Sequence, residues 1–135
     1  MTENEIARLG GARFVSLTTF KRDGNGVASP MWVVRDGDLL WFWTPAEALK
    51  VKRIRRDTRV SLAPCGRTGK VRDGQTVADG TAEVVTAPRE VARIESLIKR
   101  KYGLEFRLVT LIETIAARGR KPRVALRVAL AGTTP

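Results

Sequence analysis

Alternating polar and apolar positions run through most of the chain. Along six segments, β-branched and aromatic residues recur with the period of two that is typical of strands. The stretch from Arg22 to Gly26 is a hairpin signal, and Pro30 in the second segment favours a sheet edge or a bulge. Gly80 suits a bulge in the fifth. The third segment is apolar on both faces, so we expect both to be covered. The predicted strands are 12–20, 27–35, 39–43, 59–64, 76–86 and 123–130.

Four other segments show the spacing of an amphipathic helix. Thr2 and Glu5 form a possible capping box for a helix over 2–9, and 46–57 carries helix formers. Pro88 suits the start of a third helix, which Gly103 closes, and a fourth runs to about Arg118. The apolar positions of the last two helices are Val91, Ile94, Leu97, Ile98 and Tyr102, and Leu104, Leu108, Leu111, Ile112 and Ile115.

The order of these elements predicts the architecture. One helix is followed by five strands with a short helix among them, then by two helices and a last strand. Links of hairpin length between the early strands favour an antiparallel barrel or sandwich over a doubly wound parallel sheet. The chain of 135 residues has the size of one domain, so we expect a single domain over 1–135.

Composition removes several kinds of chemistry. The chain has no histidine and one cysteine, Cys65, which excludes His-based nucleophile systems, His-ligated metals and multi-cysteine zinc sites within one chain. An acidic N-terminus without an apolar leader, and the lack of a membrane-span pattern, predict a soluble cytoplasmic protein that does not bind membranes. A thiol at Cys65 would have its pKa lowered by basic surroundings, although a structural cysteine is the simpler interpretation.

The formal net charge of +11 predicts anionic partners. Nucleic acid, acidic lipid headgroups and phosphorylated cofactors all qualify. Six of the ten residues from Lys50 to Arg59 are basic. On a helix, Lys50 and Arg53 are neighbours on one flank and could meet a phosphate beside the core, whereas Lys52 and Arg56 point away from it. A merely solvated basic face is the alternative.

Three motifs in this order resemble a known family. They are Ser29-Pro30-Met31-Trp32, then Lys50-x-x-Arg53, then Arg59-Val60-x-Leu62-Ala63-Pro64-Cys65. The chain is similar to the pyridoxamine 5'-phosphate oxidase-like flavoproteins, and within them to the deazaflavin-dependent oxidoreductases. The resemblance covers about 120 of the 135 residues. It implies an α+β, mainly β protein: a six-stranded antiparallel split β-barrel of the FMN-binding type, with flanking helices.

The same resemblance implies roles for matching residues. Lys50 and Arg53 would hold a cofactor phosphate, Thr44 would sit at the ribityl or phosphate end, and Ser29, Pro30, Met31 and Trp32 would lie along the tricyclic ring. An acidic tail could meet Lys52, Arg55 and Arg56.

The C-terminal Arg and Trp pattern of true pyridoxamine phosphate oxidases is missing, because the chain ends in RVALRVAL before a short tail. This favours the deazaflavin coenzyme F-420, whose oligoglutamate tail suits the positive charge, with FMN as the alternative cofactor.

Three function classes remain open. The first is an oxidoreductase that transfers a hydride between bound coenzyme F-420 and a small electron-poor substrate. The second is a protein that binds coenzyme F-420, FMN or a tetrapyrrole without turnover. The third is a nucleic-acid binder, against which stands the absence of a helix-turn-helix, zinc or RNA-stacking motif.

We also expect a homodimer with the cofactor at the subunit boundary. The two-faced strand 39–43 and the apolar final strand exceed what one small barrel can cover, and the family resemblance points the same way. Trp41 and Trp43 are expected in the core or the dimer interface. Tyr102 is expected to pack against its neighbours rather than donate a proton.

Overall fold

Antiparallel strands form one strongly curled sheet. The computed structural model describes residues 2–117 and 122–131. Seven strands lie in this part of the chain, in the spatial order β2-β1-β5-β6-β7-β4-β3. They are β1 Phe14–Phe20, β2 Gly26–Met31, β3 Val34–Asp36, β4 Leu39–Pro45, β5 Arg59–Cys65, β6 Ala78–Val85 and β7 Arg123–Leu130. The sheet and its helices make a mixed α+β half-barrel of the split-barrel type.

Four helices flank the sheet. They are α1 Thr2–Gly10, α2 Leu49–Arg56, α3 Pro88–Tyr102 and α4 Leu104–Ala117. The predicted helix over 46–57 begins three residues later than expected, because Pro45 and Ala48 form a turn in which the Ala48 N–H donates to the Pro45 carbonyl oxygen. Gly103 ends α3 with a positive φ of 54°, as its position predicted. Within the described residues, no helix has the length and apolar character needed to cross a bilayer.

Two apolar cores lie on opposite faces of the sheet. The inner core contains Phe42 and Leu126, closed by Ile6 from α1 and Ile54 from α2. The outer core packs Trp41, Trp43 and Ala125 against Ile94, Ile98 and Tyr102 of α3. Both faces of 39–43 are therefore covered, as expected, but α3 of the same chain covers the second one. The argument that this strand needs a second subunit was wrong.

The segment predicted as one strand over 27–35 is two strands, so the sheet has seven strands rather than six. β2 and β3 lie at opposite ends of the strand order, and only Trp32 and Val33 connect them. Six spacings of about 4.8 Å would hold the edges of a flat sheet about 29 Å apart. The connection from Met31 to Val34 reaches at most about 11 Å. The sheet must therefore curl until its edges almost meet, and Pro30 lies in an edge strand, as predicted.

The end of α3 fixes this connection. The Val33 N–H donates to the Tyr102 hydroxyl at 3.0 Å, and the hydroxyl donates to the Arg13 carbonyl oxygen at 2.8 Å. The Lys101 ammonium donates to the carbonyl oxygens of Val33, Ala12 and Gly10 at 2.7, 2.8 and 3.0 Å. Burial raises the pKa of Tyr102 to about 12, so its phenol keeps the proton it donates. We call Lys101 and Tyr102 the closure pair.

Gly80 does not form the predicted bulge. It pairs in regular register with Val60 on one side and Leu130 on the other. A Cβ at this position would lie 2.6 Å from the Ala129 carbonyl oxygen. The glycine is therefore needed for the close approach of β6 and β7.

We predict that Tyr102→Phe lowers the free energy of unfolding by about 1–3 kcal/mol. The variant keeps the ring but leaves the buried Val33 N–H without its acceptor. Chemical denaturation monitored by circular dichroism measures the change. Ser61→Ala removes an exposed hydroxyl that donates to Asp79, and this control should cost less than about 1 kcal/mol. Equal losses of stability in the two variants would show that the hydrogen bond between the Val33 N–H and the Tyr102 hydroxyl contributes no more than an exposed one.

We predict that Lys101 titrates near pH 8 in the folded protein. Burial lowers its pKa to about 8 from an ordinary 10.5, and the Arg13 charge acts in the same direction. NMR of the labelled lysine side chain measures the midpoint directly.

The stability consequence has a defined sign. Between pH 8 and 10.5 the unfolded chain holds the Lys101 proton that the folded chain has lost, so the unfolding free energy should rise with pH relative to Lys101→Met. Lys99→Met, on the exposed side of α3, is the control for the loss of one charge. If the unfolding free energy depended on pH in the same way in the wild type, Lys101→Met and Lys99→Met, the expectation would be contradicted.

Candidate cofactor site

A pocket opens where the end of β2 approaches the end of β4. It has a volume of about 220 Å³. Five of the ten predicted site residues line it: Pro30, Met31, Trp32, Thr44 and Lys50. The other lining residues are Phe14, Trp43, Pro45, Val109 and Arg123. The closure of the sheet thus brings the predicted ring strand, Thr44 and the first residue of the predicted phosphate clamp to one place.

One wall of the pocket is aromatic and well supported. The Trp32 ring stacks on Tyr102 with centroids 4.7 Å apart and planes 18° apart. Phe106 of α4 packs at 5.4 Å from Trp43 and 6.3 Å from Trp32. Such a wall can stack against a planar ring without reorganising, because each ring is held by another behind it.

The pocket lining also contains two cations, Lys50 and Arg123. Lys50 is half-buried, and burial lowers its pKa, with the nearby charge of Arg53 lowering it further. Among residues 2–117 and 122–131, Lys50 forms no ion pair or hydrogen bond. Arg123 lies over the Trp43 ring, with its guanidinium carbon 4.1 Å from the centroid. A half-buried ammonium beside a second cation is stabilised by an anionic ligand.

The indole N–H of Trp43 is a second group at this pocket that lacks a partner. Its side chain is buried, and its indole N–H has no hydrogen-bond partner in the described part of the chain. The same is true of Trp41 on the same face of β4. The aromatic wall therefore leaves buried donors unpaired, and Trp43 lies against the pocket.

The remaining predicted residues lie elsewhere. Ser29 lies in β2 opposite Leu17 and does not line the pocket. Arg53 is close enough to Lys50 to affect its pKa, and it donates to the Thr19 hydroxyl at 3.3 Å. Lys52 is exposed on α2. Arg56, expected to point into solvent, donates to the Phe20 carbonyl oxygen at 2.7 Å.

Arg55 faces a different cavity. That cavity has a volume of about 550 Å³ and is lined by residues of α2, β4, β6 and β7 together with Thr58. Its other charged residues, Glu83 and Arg127, form an ion pair with each other. Arg55 is therefore separated from Lys50, and the three cations assigned to an acidic tail do not form one surface.

A third cavity, of about 610 Å³, lies along the loop after β5 and includes Lys70, Arg72 and Cys65. Burial raises the pKa of the Cys65 thiol, which is the opposite of the lowering expected from its basic surroundings. Cys65 therefore lacks the activation of a reactive thiol.

Sequence reasoning missed five lining residues of the pocket. Trp43 was assigned to the core or an interface, and it does pack in the outer core while touching the pocket. Val109 and Arg123 come from elements distant in sequence, and no local motif marks them. Arg123 follows Pro122, whose carbonyl oxygen accepts from the Ala46 N–H. That contact places the start of β7 beside the end of β4.

The fold defines a split-barrel protein, and its pocket is lined by aromatic residues and by the cations Lys50 and Arg123. A family model described as pyridoxamine 5'-phosphate oxidase matches residues 1–134. The chain belongs to this family. No curated protein sequence matches it.

Solved structures agree on the fold. A conserved hypothetical protein from Mycobacterium tuberculosis is 25% identical with a TM-score of 0.69, over 97% of this chain and 81% of that one. An F420 reductase is 18% identical with a TM-score of 0.61, over 93% and 92% of the two chains. The heme storage protein HutZ from Vibrio cholerae is 12% identical with a TM-score of 0.66, over 96% and 89%.

We predict that Lys50→Met stabilises the protein without ligand. Because the folded Lys50 has a lowered pKa, its charge opposes folding at neutral pH, and its removal should raise the free energy of unfolding. Lys52→Met removes an exposed charge from the same helix and should change it by less than about 0.5 kcal/mol. Denaturant titrations of the two variants make the comparison. A larger loss of stability in Lys50→Met would assign Lys50 to the fold rather than to a ligand.

Proposed function

We propose that this chain is an oxidoreductase that binds coenzyme F-420 in the pocket and transfers a hydride between it and a small electron-poor substrate. The observation that carries the proposal is the half-buried Lys50, which has no anionic partner among the described residues and lines the same pocket as Trp32 and Trp43. A ligand that joins a planar ring to a phosphate would provide a stacking partner for the aromatic residues and an anion for Lys50. FMN shares these features and is the alternative cofactor.

The residues present fit such a ligand in two respects. The aromatic wall around Trp32 suits the ring, with Met31 and Pro30 beside it, and the orphaned cation suits the phosphate. In this proposal Lys50 binds the phosphate, Arg53 adds a second positive charge, and Thr44 lines the same pocket as Lys50 and Trp32. Ser29 lies on β2 next to Pro30 but does not line the pocket.

Coenzyme F-420 is preferred over FMN on charge. The chain carries +11, and a tail of carboxylates adds to the attraction that a single phosphate provides. Lys52 is exposed on α2 and is available to such a tail, whereas Arg56 donates to the Phe20 carbonyl oxygen and Arg55 lies by the other cavity. One structural relative is an F420 reductase.

The bound cofactor supplies the hydride chemistry, and the chain orients it and excludes water. Trp32 is held by Tyr102, so the ring wall is preorganised. Tyr102 itself is an unsuitable proton donor, because its hydroxyl is occupied by the backbone of Val33 and Arg13. We assign no residue of the chain to proton transfer.

The functional unit in this proposal is a homodimer. A volume of about 220 Å³ is smaller than the roughly 300–1,000 Å³ of typical ligand pockets. The described pocket therefore accommodates part of the ligand, and a second subunit at its mouth would complete the site.

Binding without turnover is the second candidate. A structural relative that stores heme favours a carrier function. For a tetrapyrrole, the pocket lining offers Met31 as its sulfur ligand and no histidine, which makes coenzyme F-420 or FMN the better cargo. Nucleic acid is a weaker candidate, since Arg53 and Arg56 of the basic helix are bonded to β1.

We expect fluorescence titration to show binding of coenzyme F-420 in preference to FMN. Lys50→Ala or Arg53→Ala should weaken binding by about 1.5–3 kcal/mol, roughly tenfold to a hundredfold in Kd. Lys52→Ala should cost less than about 1 kcal/mol, and salt should screen that loss. Equal losses at Lys50 and Lys52 would mean a diffuse basic surface and would overturn the site.

Turnover separates the two candidates. The protein is mixed with reduced cofactor and with enones, quinones or biliverdin, and cofactor oxidation is followed by absorbance. Acceleration that Lys50→Ala abolishes supports the oxidoreductase. Tight binding with no acceleration by any acceptor supports the carrier.

A further inference from the structure

The loop after β5 carries positive charge that the proposed cofactor site does not use. Residues 66–75 contain three cations, Arg67, Lys70 and Arg72, and a single acid. Arg67 forms an ion pair with Glu105 of α4 at 3.5 Å. Lys70 and Arg72 are exposed, and neither forms an ion pair within the described part of the chain. We call residues 66–75 the cationic loop.

The cationic loop borders a cavity of about 610 Å³. Lys70 and Arg72 line this cavity together with Thr68 and Gln75, so two cations and two hydrogen-bonding side chains border one space. The Gly66 N–H donates to the Lys70 carbonyl oxygen at 3.0 Å. This bond closes a turn that keeps Lys70 beside the end of β5. The volume is sufficient for a small organic anion.

This cavity and the candidate cofactor pocket are neighbours on the sheet. Phe14 lines the pocket, and its register partner Cys65 lines the cavity. Directly opposed residues of antiparallel strands lie on the same face of a sheet. The loop also reaches β2, because a Cβ added at Gly69 would lie 3.3 Å from Cδ of Pro30, another pocket residue. The Arg67 guanidinium carbon lies 6.0 Å from the centroid of the Phe14 ring.

The contacts of the loop place it beside the ring of the proposed ligand. In the proposed function the ring lies along Pro30, Met31 and Trp32, and Lys50 holds the phosphate. Among the described residues, the hydrogen bonds, ion pairs and ring contacts of the loop join it to α1, β1 and α4, and none joins it to α2, which carries Lys50. A hydride acceptor must lie against the ring, so the acceptor is the molecule that the loop can reach.

We propose that Lys70 and Arg72 bind a carboxylate of the electron acceptor, so that the substrates are small planar acceptors that carry an acidic group. The position of the acceptor rests on the proposed function. A guanidinium holds a carboxylate through two parallel hydrogen bonds, and an ammonium adds a compact charge. Thr68 and Gln75 supply further donors at the same cavity. A cationic concavity also raises the local concentration of anionic substrates.

Cys65 allows the cavity to be tested without any cofactor, because it is the single cysteine of the chain and lines the cavity. Iodoacetate and iodoacetamide alkylate the same thiolate but differ in charge. The raised pKa of Cys65 slows both reagents alike. The ratio of the iodoacetate rate to the iodoacetamide rate should be at least about threefold higher at Cys65 than in an uncharged cysteine peptide.

Variants show which cations cause this preference. Lys70→Ala/Arg72→Ala should lower the ratio to that of the peptide. Lys99→Ala, which removes an exposed charge from α3, should leave it unchanged. Circular dichroism should show that both variants remain folded, because the substituted side chains are exposed. A ratio that the double substitution does not change would overturn the inference.

A matched pair of acceptors tests the substrate class. A quinone is compared with the same quinone bearing a carboxylate, using protein loaded with reduced coenzyme F-420. Lys70→Ala/Arg72→Ala should lower kcat/KM for the carboxylate form about fivefold or more, mainly by raising KM, and should leave the neutral form unchanged. Equal losses for the two quinones would contradict the assignment.

Cofactor binding separates a failure of this inference from a failure of the proposed function. Lys70→Ala/Arg72→Ala should bind coenzyme F-420 and FMN as tightly as the wild type, whereas Lys50→Ala should bind both more weakly. If the double variant lost affinity for coenzyme F-420 but not for FMN, the cavity would hold the carboxylate tail of the cofactor, and the substrate assignment would be wrong. If the wild type bound neither cofactor, the proposed function would fail, and the alkylation ratio would still decide whether the cavity attracts carboxylates.

Discussion

The structure depends on a two-residue connection between the two edges of its sheet. Trp32 and Val33 join β2 to β3, so seven strands must curl far enough for the first and last to meet. A short connection alone does not fix the geometry, since it can rotate. The closure pair does, because Tyr102 and Lys101 satisfy both backbone groups of Val33 from one helix end. Lys101 also binds two carbonyl oxygens at the end of α1, which ties three segments to one ammonium group.

The same connection builds the pocket. Trp32 is stacked on Tyr102 on one face and lines the cavity, so the group that closes the sheet also supports the ring wall. Lys50 lines the same cavity, and neither Lys50 nor the neighbouring Arg53 forms an ion pair with a described acid. A fold optimised only for stability would not retain a half-buried, repelled ammonium there. An anionic ligand bound beside Lys50 would offset that unfavourable energy.

Local pattern was enough for most of the fold. The strand over 123–130 was predicted to the residue, and Gly103 marked the end of α3 correctly, because periodicity and glycine conformation are local properties. The break in 27–35 could not be predicted, since it is caused by contacts of Val33 with residues about 70 positions away. The candidate site also combines local and long-range features. Thr44, Lys50 and Trp32 were predicted from sequence motifs. Val109 and Arg123 line the pocket only because of tertiary packing, which no local motif marks. Arg56 was predicted to point away from the core; it is exposed, and its long side chain also donates to the Phe20 carbonyl oxygen.

α4 shows what periodicity cannot reveal. Leu104, Leu108, Leu111, Ile112 and Ile115 repeat at helical spacing and would ordinarily be assigned to the core of the chain. The structure buries Phe106 on the other side and leaves the stronger stripe exposed. A hydrophobic period identifies a face that avoids water, but it does not say which molecule covers that face. Val109 lines the pocket from this helix and Phe106 packs against two of the tryptophans that line it, so α4 carries both a part of the pocket wall and the exposed stripe.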